Sequence, residues 1–263
     1  MSTLSIADRL LGSIVGTYIG HGYGNRQWTC IQTKDSPLYQ SWLQAIQQDP
    51  PPGPKALDFS AAIALPWLLY HHDHRRTRHN WIAQTVETSI TTSRAPDILY
   101  YLGDSLEWLI QCRQKVPHPL PLLCEHLQHQ RPHYPPAVSG QANQLIELLL
   151  AAEYPPAAAA TATPYDPHIT LGTVALALRQ CLTDPENLAL ALAGTPQYQP
   201  SPTLIGCFSG AWGGTAIIPK QWLRSLSSES RHDLHHMSQH LYRHWAGISS
   251  MAGTFETFPL EDI

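Results

Sequence analysis

Residues 5–20 read Ser5-Ile6-Ala7-Asp8-Arg9-Leu10-Leu11-Gly12-Ser13-Ile14-Val15-Gly16-Thr17-Tyr18-Ile19-Gly20, and this stretch sets the class of fold. Ser5 followed three residues later by Asp8 has the pattern of a capping box, so a helix opens here. Leu10, Leu11, Ile14 and Ile19 give that helix an apolar face. Gly12, Gly16 and Gly20 recur every four residues and so line up along one side. Each costs about 1 kcal/mol relative to alanine in a helix interior. Close backbone approach by a second helix offsets that cost, and the stripe therefore predicts a helical partner.

Helical periodicity continues along most of the chain. Apolar helices are expected over 58–70, with Pro66 kinking the helix or tolerated within it, and over 81–91, 97–112, 120–130, 141–153, 169–182 and 186–193. Asp184-Pro185 reads as N-cap and first position of the helix over 186–193, and Ser201-Pro202 repeats the device before an apolar helix to Trp212. The last helix is expected over 228–250. Two Pro-rich loops, 49–56 and 154–167, interrupt the pattern. No segment alternates cleanly as a strand would, so the expectation is an all-α fold.

The chain has 263 residues, of which only 16 Lys and Arg and 20 Asp and Glu are charged, for a formal net charge of −4. Lysine occurs only at positions 34, 55, 115 and 220. Such a chain has no basic field for a phosphate backbone, and a dedicated nucleic-acid binder is not expected. No run reaches the roughly 18 apolar residues of a membrane span. The start lacks a basic n-region and is interrupted by Asp8 and Arg9, so no signal peptide is expected. Cys30, Cys112, Cys124, Cys181 and Cys207 are odd in number and widely spaced, which reads as reduced, buried thiols in a cytoplasmic protein.

Two histidine groups stand out. His232, His236, His240 and His244 lie four apart with His235 beside them, a spacing at which imidazole pairs hold zinc or nickel. Leu234, Met237, Leu241, Trp245 and Ile248 already supply that helix with a buried face, so a solvated or interface stripe is the competing reading. His71-His72-Asp73-His74-Arg75-Arg76 reads as the cationic C-terminal end of the preceding helix. Gly-x-Ser-x-Gly is absent, as is a Gly-rich phosphate loop after a strand.

Further motifs lie at both ends. Arg9-Leu10-Leu11-Gly12 leads to Gly20-His21-Gly22-Tyr23-Gly24, and Leu57-Asp58-Phe59-Ser60 precedes an apolar helix. Residues 171–193 form a helix pair rich in Ala and Leu. Gly206-Cys207-Phe208-Ser209-Gly210-Ala211-Trp212-Gly213-Gly214 follows, and then Ile218-Pro219-Lys220-Gln221-Trp222-Leu223. In this order the pieces resemble the ADP-ribosylglycohydrolase family, including its dinitrogenase-reductase-activating members. There the opening helix ends in G-D-A-L-G, T-D-D-T precedes an apolar helix, and G-G-D-x-D-T precedes a helix that leads to Ile-Pro-x-x-Trp. About a third of the chain carries the resemblance; 75–167 does not match, and no G-N-G…M-R segment is found. The resemblance implies one compact orthogonal multi-helix domain over 1–263.

It also implies a centre of two magnesium ions, held by carboxylates, that activates a water to cleave the bond at the anomeric carbon of ADP-ribose. In this chain the corresponding positions have changed. Gln197 and Gln199 stand for the two Asp of the C-terminal loop and Pro200 for its threonine, with Thr195 and Pro196 for the paired glycines; a register one residue away is the alternative. Asp58 and Ser60 remain from T-D-D-T, while Leu57 and Phe59 replace its other residues, and His21 stands for the Asp of the opening motif. Glutamine oxygens are neutral and do not balance two divalent ions. Asp58 read as a helix N-cap, the glutamines as solvated loop residues and His21 as a backbone contact are the plain structural alternatives.

The resulting expectation is an ADP-ribosylglycohydrolase-like pseudoenzyme, without a cofactor, acting through a protein partner or a second copy, or through a nucleotide-like ligand in the former cleft. The chain's eight Trp and its charge-poor composition motivate the interface. One rival is an active hydrolase in which Asp97, Asp104 or Glu107 joins Asp58. The other is a histidine-dependent metal-binding protein built on the last helix.

Overall fold

A computed structural model describes residues 4–24, 40, 42, 61–88, 95–112, 116–151, 169–193 and 202–248. They are predominantly helical and contain no strand. We number the helices α1 (Ile6–Gly24), α2 (Ala61–Tyr70), α3 (Arg75–Thr88), α4 (Ala95–Gln111), α5 (Pro119–Gln130), α6 (Pro136–Leu150), α7 (Leu171–Thr183), α8 (Leu188–Ala193), α9 (Pro202–Gly213), α10 (Lys220–Ser225) and α11 (Ser228–Trp245). Short 3-10 turns follow α5 at Arg131–His133 and α9 at Gly214–Ile217. Buried side chains from α1 to α11 form a contiguous apolar core. None of the described helices is long and apolar enough to cross a membrane.

The capping box at the start of α1 is present in both directions. Asp8 donates its backbone N–H to Ser5 Oγ at 3.1 Å, and Ser5 donates its own to Asp8 Oδ2 at 3.1 Å. The glycine stripe of α1 meets a second one on α9, and the two helices run antiparallel. Gly20 lies against Pro202, Gly16 against Gly206, and Gly12 against Gly210 and Gly214. Small residues on both faces let the backbones approach more closely than the usual 8–10 Å between helix axes, and set Cα–H groups against carbonyl oxygens. Ser13 and Thr17, fully buried beside the stripe, donate to the carbonyls of Arg9 (2.9 Å) and Ser13 (2.5 Å), so neither hydroxyl is left unsatisfied.

Arg9 is buried and has no carboxylate partner among the described residues. Its guanidinium donates to the carbonyls of Leu109 (2.5 Å) and Cys112 (2.7 Å), where α4 ends, and to Ala211 (3.3 Å). The negative end of the α4 dipole thus receives the cation, and α1 is tied to both α4 and α9.

Several boundaries differ from the sequence reading. Asp184-Pro185-Glu186-Asn187 is a turn, closed by Asn187 N–H on the Asp184 carbonyl (3.0 Å), and Asn187 caps α8 through Leu190 N–H (3.1 Å). Proline suits the second position of a turn as well as the first of a helix, and the asparagine wins the cap. The last helix stops at Trp245 rather than residue 250. Gly247 at φ +66° and Ile248 return their N–H groups to His244 (3.1 Å) and Arg243 (2.9 Å), which is a Schellman ending. Pro66 is buried within α2. The segment Lys220–Ser225, expected only as part of a motif, is helical after Pro219.

Candidate functional site

Of the positions the resemblance points to, His21 lies among the described residues, in the last turn of α1. Asp58, Phe59, Ser60, Gln197, Gln199 and Pro200 lie outside them, as do Thr195 and Pro196. The contact of Gly20 with Pro202 brings the end of α1 to the start of α9, so His21 sits beside the helix that the 194–201 segment enters. Burial pulls the His21 pKa below its ordinary value and favours the neutral ring. At neutral pH this position adds no negative charge where the motif has aspartate.

A second polar constellation was not legible in the sequence. Arg78, on the first turns of α3, is fully buried. Its Nη2 binds Asp104 Oδ1 and, at 2.7 Å, Glu107 Oε2. Its Nη1 donates to the carbonyls of His71 (2.9 Å) and His72 (2.8 Å), closing the turn between α2 and α3. His79 Nε2 lies 3.4 Å from Asp104 Oδ1, and Tyr134 donates to Asp104 Oδ2 at 2.7 Å. Burial pushes the Asp104 carboxyl up, but His79, Arg78 and Tyr134 together outweigh it and hold the group ionised below the usual range. Gly103 leaves room for this arginine: a Cβ there would come within 2.5 Å of Arg78 Nε.

This arrangement answers the question of the alternative carboxylates. Asp104 and Glu107 do come together, but around Arg78, which binds both through Nη2. Asp97 lies two turns earlier on α4 and accepts from Gln141 Nε2 at 3.4 Å. A buried arginine with two carboxylates ties α3 to α4, and Tyr134 joins the chain after α5; chemically the group is a structural tie. Arg78 carries no distinguishing mark in the sequence, because an arginine in a polar stretch reads as solvated.

The run His71–Arg76 is divided between elements, contrary to its reading as one cationic helix end. His71, His72 and Asp73 form the turn after α2, while Arg75 and Arg76 open α3 at the end where a cation is disfavoured. The His71 ring packs on Trp67 (centroids 4.3 Å apart) and Tyr70 (4.5 Å), and Trp67 stacks on Trp81. On α11 the rings of His240 and His244 lie 4.2 Å apart, and His244 also faces Tyr70. Among the described residues no group of three or more His, Cys, Asp or Glu is arranged to hold a metal ion. The thiols of Cys181 and Cys207 are buried and pushed up to about 12, where they are inert at neutral pH.

Comparison of the chain with protein-family profiles, with characterised proteins and with solved structures finds no match in any of the three.

Proposed function

We propose that this chain is an ADP-ribosylglycohydrolase-like protein whose metal centre has been dismantled, and that it works by binding a partner protein rather than by hydrolysis. The observation that carries the reading is the junction of the end of α1 with the start of α9, at Gly20 and Pro202. These are the two helix ends that carry the opening motif and follow the C-terminal loop in the resemblance. His21, a half-buried histidine whose pKa burial lowers, lies at that junction, at the position for which the resemblance implies a carboxylate. The rival of an active, rearranged site loses support because Asp104 and Glu107 are committed to Arg78.

Calorimetric titration with magnesium or manganese, with and without ADP-ribose, tests the reading. The expected result is no metal heat and no metal-dependent binding of ADP-ribose. Uptake of two ions strengthened by ADP-ribose, or magnesium-dependent release of ADP-ribose from a modified substrate, would overturn it.

A further inference from the structure

We propose that the hollow between α1, α10 and α11 is a binding site for a small amphipathic carboxylate, with its aliphatic body on the apolar floor and its carboxylate at Arg231. Leu11 and Val15 of α1 and Leu234 of α11 form the floor, and Arg224, Arg231 and His235 stand around it. The hollow is small, with a cavity volume of about 40 Å³, and it opens to solvent, so it seats the end of an aliphatic chain and leaves the rest on the surface.

Three observations select the ligand. Among the described residues the polar lining is Thr215 and the cationic or N–H-bearing side chains of Arg224, Arg231 and His235, with no carboxylate. Neither arginine is paired with an acid among the described residues. Arg231 Nε is buried with no hydrogen-bond partner, and a buried donor of this kind is costly unless an acceptor arrives. A carboxylate balances the guanidinium and, with a turn of the Arg231 side chain toward the hollow, supplies that acceptor, while the leucine floor favours an aliphatic chain over water. His235 is kept largely neutral, first by burial and then by His232 and His236, and its ring keeps one N–H to donate. The site is separate from the α1–α9 junction, since Leu11 and His21 are ten residues apart on one helix, about 15 Å along its axis.

The test is calorimetric titration of the whole protein with octanoate, with 1-octanol and acetate as comparators and with methyl chemical shifts recorded by NMR. Octanoate is expected to bind saturably at one site, at least about tenfold more tightly than either comparator, and to shift the Leu11 and Val15 methyls. Arg231→Gln, checked for folding by circular dichroism, is expected to weaken octanoate about tenfold or more, with little effect on 1-octanol. The proposal fails if octanoate does not saturate by about 10 mM, if 1-octanol binds as tightly, or if the shifted methyls lie elsewhere. The wild-type comparison of octanoate with 1-octanol decides the matter even if the variant does not fold.

Discussion

Gly16 and Gly206 face each other so closely that a Cβ built on Gly16 would lie 2.1 Å from the Gly206 carbonyl oxygen, and one built on Gly206 would lie 1.9 Å from that of Gly16. Both collisions are with backbone, which no rotamer change relieves. The two helices must move apart to admit even one methyl group.

Gly16→Ala and Gly206→Ala are therefore each expected to destabilise the protein by about 1–3 kcal/mol, despite alanine's better helix propensity. Gly140→Ala, on α6 with nothing among the described residues within 4 Å of the added carbon, is the matched control. It is expected to stabilise by about 0.5–1 kcal/mol. Urea unfolding of the three variants checks the pair of signs, and a stabilising Gly16→Ala would mean that the helices do not touch.

At the buried ion cluster, Asp104→Asn removes the fully buried one of the two carboxylates on Arg78 and leaves Glu107 as its remaining charge partner; it is expected to cost about 3 kcal/mol. The double variant Arg78→Met with Asp104→Leu should recover part of that loss, since no buried guanidinium is left to desolvate and the partly exposed Glu107 side chain can turn to solvent. Chemical denaturation of single and double variants measures the difference. A double variant as unstable as the single would show that the bonds to His71, His72 and Tyr134 matter more than the charges.

Stability should fall on acidification from neutral pH. Burial, helped by His74 and Arg78, lowers the His71 pKa from an ordinary 6.5 to about 4. Between those values the unfolded chain binds more protons, so this contribution is complete above the window and is lost as pH falls through it. His72 and His126 are shifted down by burial and act in the same sense. Asp104, held ionised below the usual range, is the last to give way. Urea midpoints from pH 7 to 4 should decline, and His71→Phe, which keeps a ring beside Trp67, should flatten the slope.

Gly247 isolates backbone conformation from packing. It sits at φ +66° with nothing among the described residues within 4 Å of an added Cβ, so Gly247→Ala is expected to cost about 1 kcal/mol through the left-handed conformation. Hydrogen exchange should then quicken at the amides of Gly247 and Ile248, while protection on α1 stays unchanged.

Local patterns carried much of this architecture. The Ser5–Asp8 cap, the helical period and the need of the Gly12-Gly16-Gly20 stripe for a close partner were all visible, because each depends on neighbours within one or two turns. The partner stripe on α9 was also in plain sight, yet nothing local says that Gly206 meets Gly16 and not another helix. Asp184-Pro185 misled because the same dipeptide suits a turn and a helix start. Arg78 was illegible because burial is a tertiary property, and its partners at 104 and 107 lie in a segment that matched no motif. His21 lies beside the start of α9 through the contact of Gly20 with Pro202, and the hollow at Arg231 forms only where three helices meet, which no local pattern announces.

The pairing of α1 with α9 also bears on how the chain is made. The first helix leaves the ribosome roughly 190 residues before its glycine partner does, a gap of about 10–40 s at usual rates of synthesis. Through that interval its apolar face and its bare glycine side lack their final cover. A newborn chain with this topology is exposed to chaperones and to early mispairing, and its completion waits on the arrival of a short segment near residue 206.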